Sequence, residues 1–153
     1  SHIAVLLLGR KTMNSTRYTV DKLRAVGFSF PQLEHTCNIG NVYDYNGETY
    51  TIGGKWGNSS YTEQEKTIAK EGTWLPNEDD LMRWLELTHH SVQIHYSADE
   101  RYFHGTATNA NGTVFVGSGP TLLCCLEKLI YKICKQSKTP VIPDTIEILE
   151  IEE

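Results

Sequence analysis

Apolar and polar positions follow two different periods along this chain, and the period changes from helical to strand-like after residue 90. From Val92 to Tyr96, apolar side chains occupy every second position, as in a strand with one buried face. Turn-forming residues follow at 99–100 and 109–112, and each turn leads into another short alternating run. The pattern therefore predicts a three-stranded antiparallel meander over residues 92–117.

Helices are predicted on both sides of this meander in sequence. The first spans 78–89, because Asn77 is a good N-cap and apolar side chains such as Leu81 and Trp84 recur at helical spacing. The second spans 120–136 and carries an apolar stripe long enough to cover a sheet. We therefore predict an α+β fold with two layers, in which both helices cover one face of the meander.

The two hairpins of the meander sort its residues into two faces. A two-residue loop at 99–100 places His95 opposite His104, and we expect the second turn to place Ala107 opposite Val114. One face is then apolar and points towards the helices, whereas the other is open. The predicted apolar face consists of Val92, Ile94, Tyr96, Phe103, Gly105, Ala107, Val114 and Val116, and the predicted open face of Gln93, His95, Ser97, Tyr102, His104, Thr106 and Phe115.

The N-terminal part of the chain predicts a β-α-β-β region. The apolar run at 3–8 indicates a buried strand, and the helix that follows ends at Val26, before a glycine. The dipeptide Asn46-Gly47, between two arms rich in aromatic and β-branched residues, is the strongest hairpin signal in the chain.

The length of 153 residues predicts one domain over 1–153 with enough core to fold. Within it we expect three parts. They are the N-terminal β-α-β-β region (1–60), an α-β-β-β-α core (61–138) and a tail (139–153).

Composition and charge argue against several classes of partner. The formal charge of −5 and the pI of about 5.7 give no overall positive field, so we do not expect nucleic acid as a partner. The apolar run at 3–8 is too short to cross a bilayer, so no membrane association is expected. Four cysteines without metal or disulfide spacing are typical of a reduced, cytoplasmic protein, and no motif implies a cofactor.

The open face of the meander is the candidate binding surface. Tyr102 and Phe115 offer aromatic area there, and His95, His104 and Thr106 offer hydrogen-bonding groups. Aromatic surfaces of low charge are enriched at the cores of interfaces. We therefore predict a non-enzymatic interaction module that uses this face for self-association or for a protein partner. The alternative is that the N-terminal region of the same chain covers the face.

Three other hypotheses rest on particular side chains. His95 and His104 are predicted cross-strand neighbours, which could share a metal or serve a ligand-binding protein or an enzyme. Cys124 stands near a helix N-terminus, where a thiol can act as a nucleophile, although a cysteine inside a leucine-rich stripe usually belongs to the core. The glycine-containing segments 53–60 and 117–121 could offer backbone amides to a small phosphate-bearing ligand, or could simply be turns.

The α-β-β-β-α order over residues 76–137 resembles two known families. It is shared with the double-stranded-RNA-binding domain, which implies RNA binding as an alternative function. In that family, lysines at the start of the last helix clamp phosphates, whereas this chain reads PTLLCCLEK there, with no lysine before Lys128. The segment GSGPTLLCCLEKLI resembles the phage ABA sandwich type of domain. That resemblance covers about 60 of the 153 residues. It implies a cytoplasmic protein of prophage type and assigns no functional residues.

Overall fold

A computed structural model describes residues 12–53 and 61–146 and confirms the predicted α+β fold. The predicted strand at 3–8 and most of the segment 53–60 lie outside these residues. The described elements are α1 (Arg17–Ala25), β1 (Val42–Tyr45), β2 (Glu48–Thr51), α2 (Glu63–Glu71), β3 (Thr73–Trp74), α3 (Glu78–Leu87), β4 (Ser91–Ser97), β5 (Tyr102–Thr108), β6 (Val114–Gly119) and α4 (Leu122–Gln136). Their strands form two antiparallel three-stranded sheets, with the orders β2-β1-β3 and β4-β5-β6.

Side-chain caps fix where the helices begin. Asn77 accepts the amide hydrogen of Asp80 while the Asp80 carboxylate accepts that of Asn77, which completes a capping box at the start of α3. Thr62 and Glu65 form the same arrangement at α2. The helix predicted from residue 120 begins at Leu122 instead, because the Thr121 hydroxyl is its N-cap.

The β1–β2 hairpin confirms the turn prediction. Asn46 and Gly47 have φ angles of 52° and 82°, which are the left-handed values that a type I′ turn requires at both central positions. Tyr43 of β1 also lies opposite Trp74 of β3, which adds the third strand to this sheet.

In the meander, the first predicted register is confirmed and the second is wrong by one residue. His95 lies opposite His104 as expected, but Ala107 lies opposite Phe115 and not opposite Val114. The cause is a three-residue loop at 110–112. The Asn109 carboxamide oxygen accepts two backbone amide hydrogens of this turn, and Gly112 takes a φ of 84°. A shift of one residue turns every side chain of β6 to the other face of the sheet.

The corrected register changes the composition of both faces. Phe115 is buried against the helices with 7% of its surface exposed, whereas Val114 and Val116 lie on the open face with 56% and 55% exposed. Gly105 and Gly117 face α4. A Cβ atom at Gly105 would lie 2.9 Å from the Cys125 sulfur, and one at Gly117 would lie 3.0 Å from Leu129 Cγ. Glycine at these two positions therefore lets α4 approach the sheet closely.

The described part of the N-terminal region packs on the helices. The Phe28 ring packs against Trp84 of α3 in a tilted arrangement at a centroid distance of 5.5 Å, and the Trp84 indole donates to the Ser29 carbonyl at 2.9 Å. At α4, the Ser15 hydroxyl donates to the Glu127 carboxylate at 2.6 Å. Residues 12–53 are therefore anchored on the helical side of the meander, and the open face stays accessible in the described part of the chain.

A helix that crosses a bilayer must be both long and apolar. No helix within residues 12–53 and 61–146 combines these two properties.

Candidate binding face

The open sheet face brings together four of the five predicted site residues. Tyr102, His95, His104 and Thr106 all project from the side of the β4–β5–β6 sheet opposite the helices. We use the name open sheet face for the accessible residues Gln93, His95, Tyr102, His104, Thr106, Val114 and Val116. Two of these, Val114 and Val116, were predicted for the buried face and occupy this one because of the register of β6.

The fifth predicted residue, Phe115, belongs to the core. Its ring meets that of His90 edge-on at a centroid distance of 6.1 Å. His90 is itself half-buried, and burial lowers the pKa of its imidazole. Its Nδ1 lies 2.9 Å from the Thr88 hydroxyl oxygen, which fixes the ring. Phe115 therefore supports the sheet from the helical side and is not available to a partner.

The two histidines of the open sheet face form a close cross-strand pair. Their ring centroids are 5.6 Å apart, and the Tyr102 ring lies 6.0 Å from that of His104. His104 Nε2 lies 2.9 Å from a carboxylate oxygen of Glu100, which orients its ring. The described residues hold no cluster of three or more histidine, cysteine or acidic side chains that could bind a metal. The metal hypothesis for His95 and His104 therefore lacks a third ligand in this part of the structure.

The face has a gradient across its strands, from polar on β4 to apolar on β6. Gln93, Thr106 and Val116 form one continuous row across the three strands. The next row towards the β5–β6 turn ends at Val114. No lysine or arginine belongs to the face as defined. It therefore offers hydrogen bonds and apolar area, and it lacks the cations that nucleic-acid phosphates require.

The outer edge of β6 is partly occupied by a side chain of α4. The Lys132 ammonium donates a hydrogen bond to the Val116 carbonyl. Lysine at a sheet edge is a common way to block unwanted strand pairing. A partner that approaches β6 along its edge therefore meets this lysine first, whereas the open sheet face is unobstructed.

Packing explains the cysteines of α4 and the glycine-containing segment 117–121. Burial raises the pKa values of Cys125 and Cys134 to about 11, which disfavours their thiolates. Cys124 packs close to Gly119, where an added Cβ would lie 2.7 Å from its sulfur. In the segment 117–121, glycines provide close packing and Thr121 caps the helix. The other glycine-containing segment lies almost wholly outside the described residues.

Sequence analysis did not identify a groove between α1 and α4. Its wall includes Tyr18 and Lys22 of α1 together with Cys124, Lys128 and Tyr131 of α4. The sequence did contain one signal of this groove. Lys128 and Lys132 of α4 both line it, and residues four apart on a helix lie on the same face. The way in which α1 packs on α4 could not be read from local pattern.

Comparison with known proteins gave no match to a family model, to a curated protein or to a solved structure.

Proposed function

We propose that this protein is an interaction module in which the open sheet face binds the same face of a second copy of the chain. The observation that carries the proposal is the pair Val114 and Val116, each more than half exposed on the same face of β6, with the histidine pair and Tyr102 further along the sheet. The resemblance to phage ABA sandwich domains implies a protein of prophage type and assigns it no activity.

The composition of the face supports a protein partner. Interface cores are depleted in charge and enriched in aromatic side chains, and the open sheet face combines two valines with Tyr102 and a histidine pair. Burying Val114 and Val116 would remove apolar area from water, which is the main favourable term in association. Hydrogen-bonding groups such as Thr106 and Gln93 would remain able to pair across the interface.

The arrangement around β6 supports face-to-face packing. Because Lys132 already bonds the Val116 carbonyl, edge pairing would first have to displace it. Two sheets can instead pack about 10 Å apart with their side chains interdigitated. A two-fold axis would place the same patch on both copies, which is the commonest arrangement of homodimers.

Mass measurements test the proposal directly. We expect sedimentation equilibrium of the wild-type chain to show a concentration-dependent dimer. Val114→Lys/Val116→Lys should remain folded by circular dichroism and sediment as a monomer, because both side chains are exposed in the isolated chain. Ile39→Lys changes another half-exposed apolar residue outside the face and serves as the matched control. A wild-type chain that stays monomeric, or a double variant that dimerises as well as the control, would refute the proposal.

A further inference from the structure

The groove between α1 and α4 has the size of a small-molecule site. It encloses a volume of about 550 Å³, and natural ligand pockets range from roughly 300 to 1,000 Å³. Its floor is apolar and includes the buried side chain of Leu23 and the partly buried side chains of Val26 and Tyr131. We call this cavity the helix groove.

The rim of the helix groove is cationic. Lys22, Lys128 and Lys132 all line it and are exposed. None of them forms a salt bridge with a carboxylate in the described part of the chain. Lys22 lies over the Tyr18 ring, 4.7 Å from its centroid, and Lys132 bonds a backbone carbonyl. A chain with a formal charge of −5 thus places three lysines around one apolar cavity.

One acidic residue, Glu127, also lines the helix groove and is hydrogen-bonded to Ser15. The Glu127 carboxylate accepts the Ser15 hydroxyl at 2.6 Å, and burial raises the pKa of this carboxyl group. Lys22, Lys128 and Lys132 outnumber this single carboxyl group, so the groove keeps an excess of positive charge that attracts an anion from solution. An apolar floor beneath a positive rim complements a ligand with an apolar tail and a negative head.

We propose that the helix groove binds a single-chain aliphatic carboxylate. The tail would lie on Leu23, Val26 and Tyr131, and the carboxylate would accept charge-assisted hydrogen bonds from the rim lysines. This site goes beyond the proposed self-association, because it is formed by the helices and not by the open sheet face. The two proposals can therefore fail independently.

Titration calorimetry of the full chain with decanoate, kept below its aggregation concentration, provides the test. We expect saturable binding to one site. Acetate, which has the head without a tail, should not bind. Decanol, which has the tail without a charge, should bind at least about fivefold more weakly, as expected for loss of the exposed charge interactions. Octanoate should bind more weakly than decanoate, by up to about fourfold for each missing methylene. Absence of decanoate binding, or equal affinity for decanol, would overturn the proposal.

Variants locate the binding on the protein. Lys22→Gln/Lys128→Gln should raise the Kd for decanoate about fivefold, and Ala25→Trp should abolish binding because residue 25 is exposed and lines the cavity. Lys70→Gln removes an exposed lysine of α2 outside the groove and is the control. Decanoate affinity that is unchanged in Lys22→Gln/Lys128→Gln, or that persists in Ala25→Trp, would place the ligand elsewhere and refute the assignment. Neither result would bear on dimerisation through the sheet.

Discussion

Ala107 lies directly opposite Phe115 across the β5–β6 hairpin, and this pairing decides which side chains the open sheet face carries. With this register, the Phe115 side chain points into the core, and the side chains of Val114 and Val116 are accessible. The open sheet face therefore has valines on its β6 side and aromatic and histidine side chains further along the sheet.

The stability of truncation variants reports this register. We expect Phe115→Ala to lower the free energy of unfolding by about 3–5 kcal/mol, because it leaves a cavity beneath the sheet. Val116→Ala should change it by less than about 1 kcal/mol, since its side chain is more than half exposed. Urea denaturation measures both changes. The opposite ranking would indicate the register expected from alternation alone, with Val116 buried.

The close approach of α4 to the sheet predicts a specific clash. Gly105→Ala places a methyl group 2.9 Å from the Cys125 sulfur, so the free energy of unfolding should fall by about 1–3 kcal/mol. Adding Cys125→Ala should recover part of this loss because it removes the sulfur. Gly53→Ala, where a Cβ meets nothing within 4 Å, is the control and should be nearly neutral in thermal denaturation. If the losses in free energy of unfolding caused by Gly105→Ala and by Cys125→Ala simply add in the double variant, this contact is contradicted.

The partly buried Glu127 carboxyl group predicts a pH dependence of stability. Burial raises its pKa above the ordinary value of 4.5, and the hydrogen bond from Ser15 opposes that shift only in part. The folded state therefore binds more protons than the unfolded state between the two pKa values, so this group loses stabilising effect as the pH rises through that window.

Glu127→Gln should thus be more stable than the wild type at neutral pH. We expect a gain below about 1 kcal/mol, because solvent screens this partly exposed position. The difference should shrink as the pH falls through the raised folded-state pKa towards 4.5, because below that value the wild-type carboxyl group becomes protonated in both states. Denaturation curves recorded across this pH range give the comparison. A stability difference that grows on acidification would reverse the sign and contradict the effect of burial.

Sequence patterns predicted those elements whose signals are local. Asn77 caps α3 as expected because a cap depends on residues within one turn. Asn46 and Gly47 form the expected turn for the same reason. The pairing of His95 with His104 also followed from the length of one short loop.

The β5–β6 register could not be predicted in this way. Val114, Phe115 and Val116 are all apolar, so alternation did not distinguish the two faces of β6. The side-chain bonds of Asn109 and the left-handed φ of Gly112 decided the loop length, and with it the register. The helix groove depends on contacts between α1 and α4, which are far apart in sequence, and for this reason local pattern gave only the spacing of two lysines.

Lys132 lies between the helix groove and the outer edge of β6. Its stem lines the helix groove, and its ammonium holds the Val116 carbonyl at the edge of β6. Any anion that draws this ammonium into the groove must release the carbonyl, and any strand that takes the carbonyl must release the lysine towards the groove. One ammonium group cannot make both contacts at once, so the edge of β6 and the helix groove compete for the same positive charge.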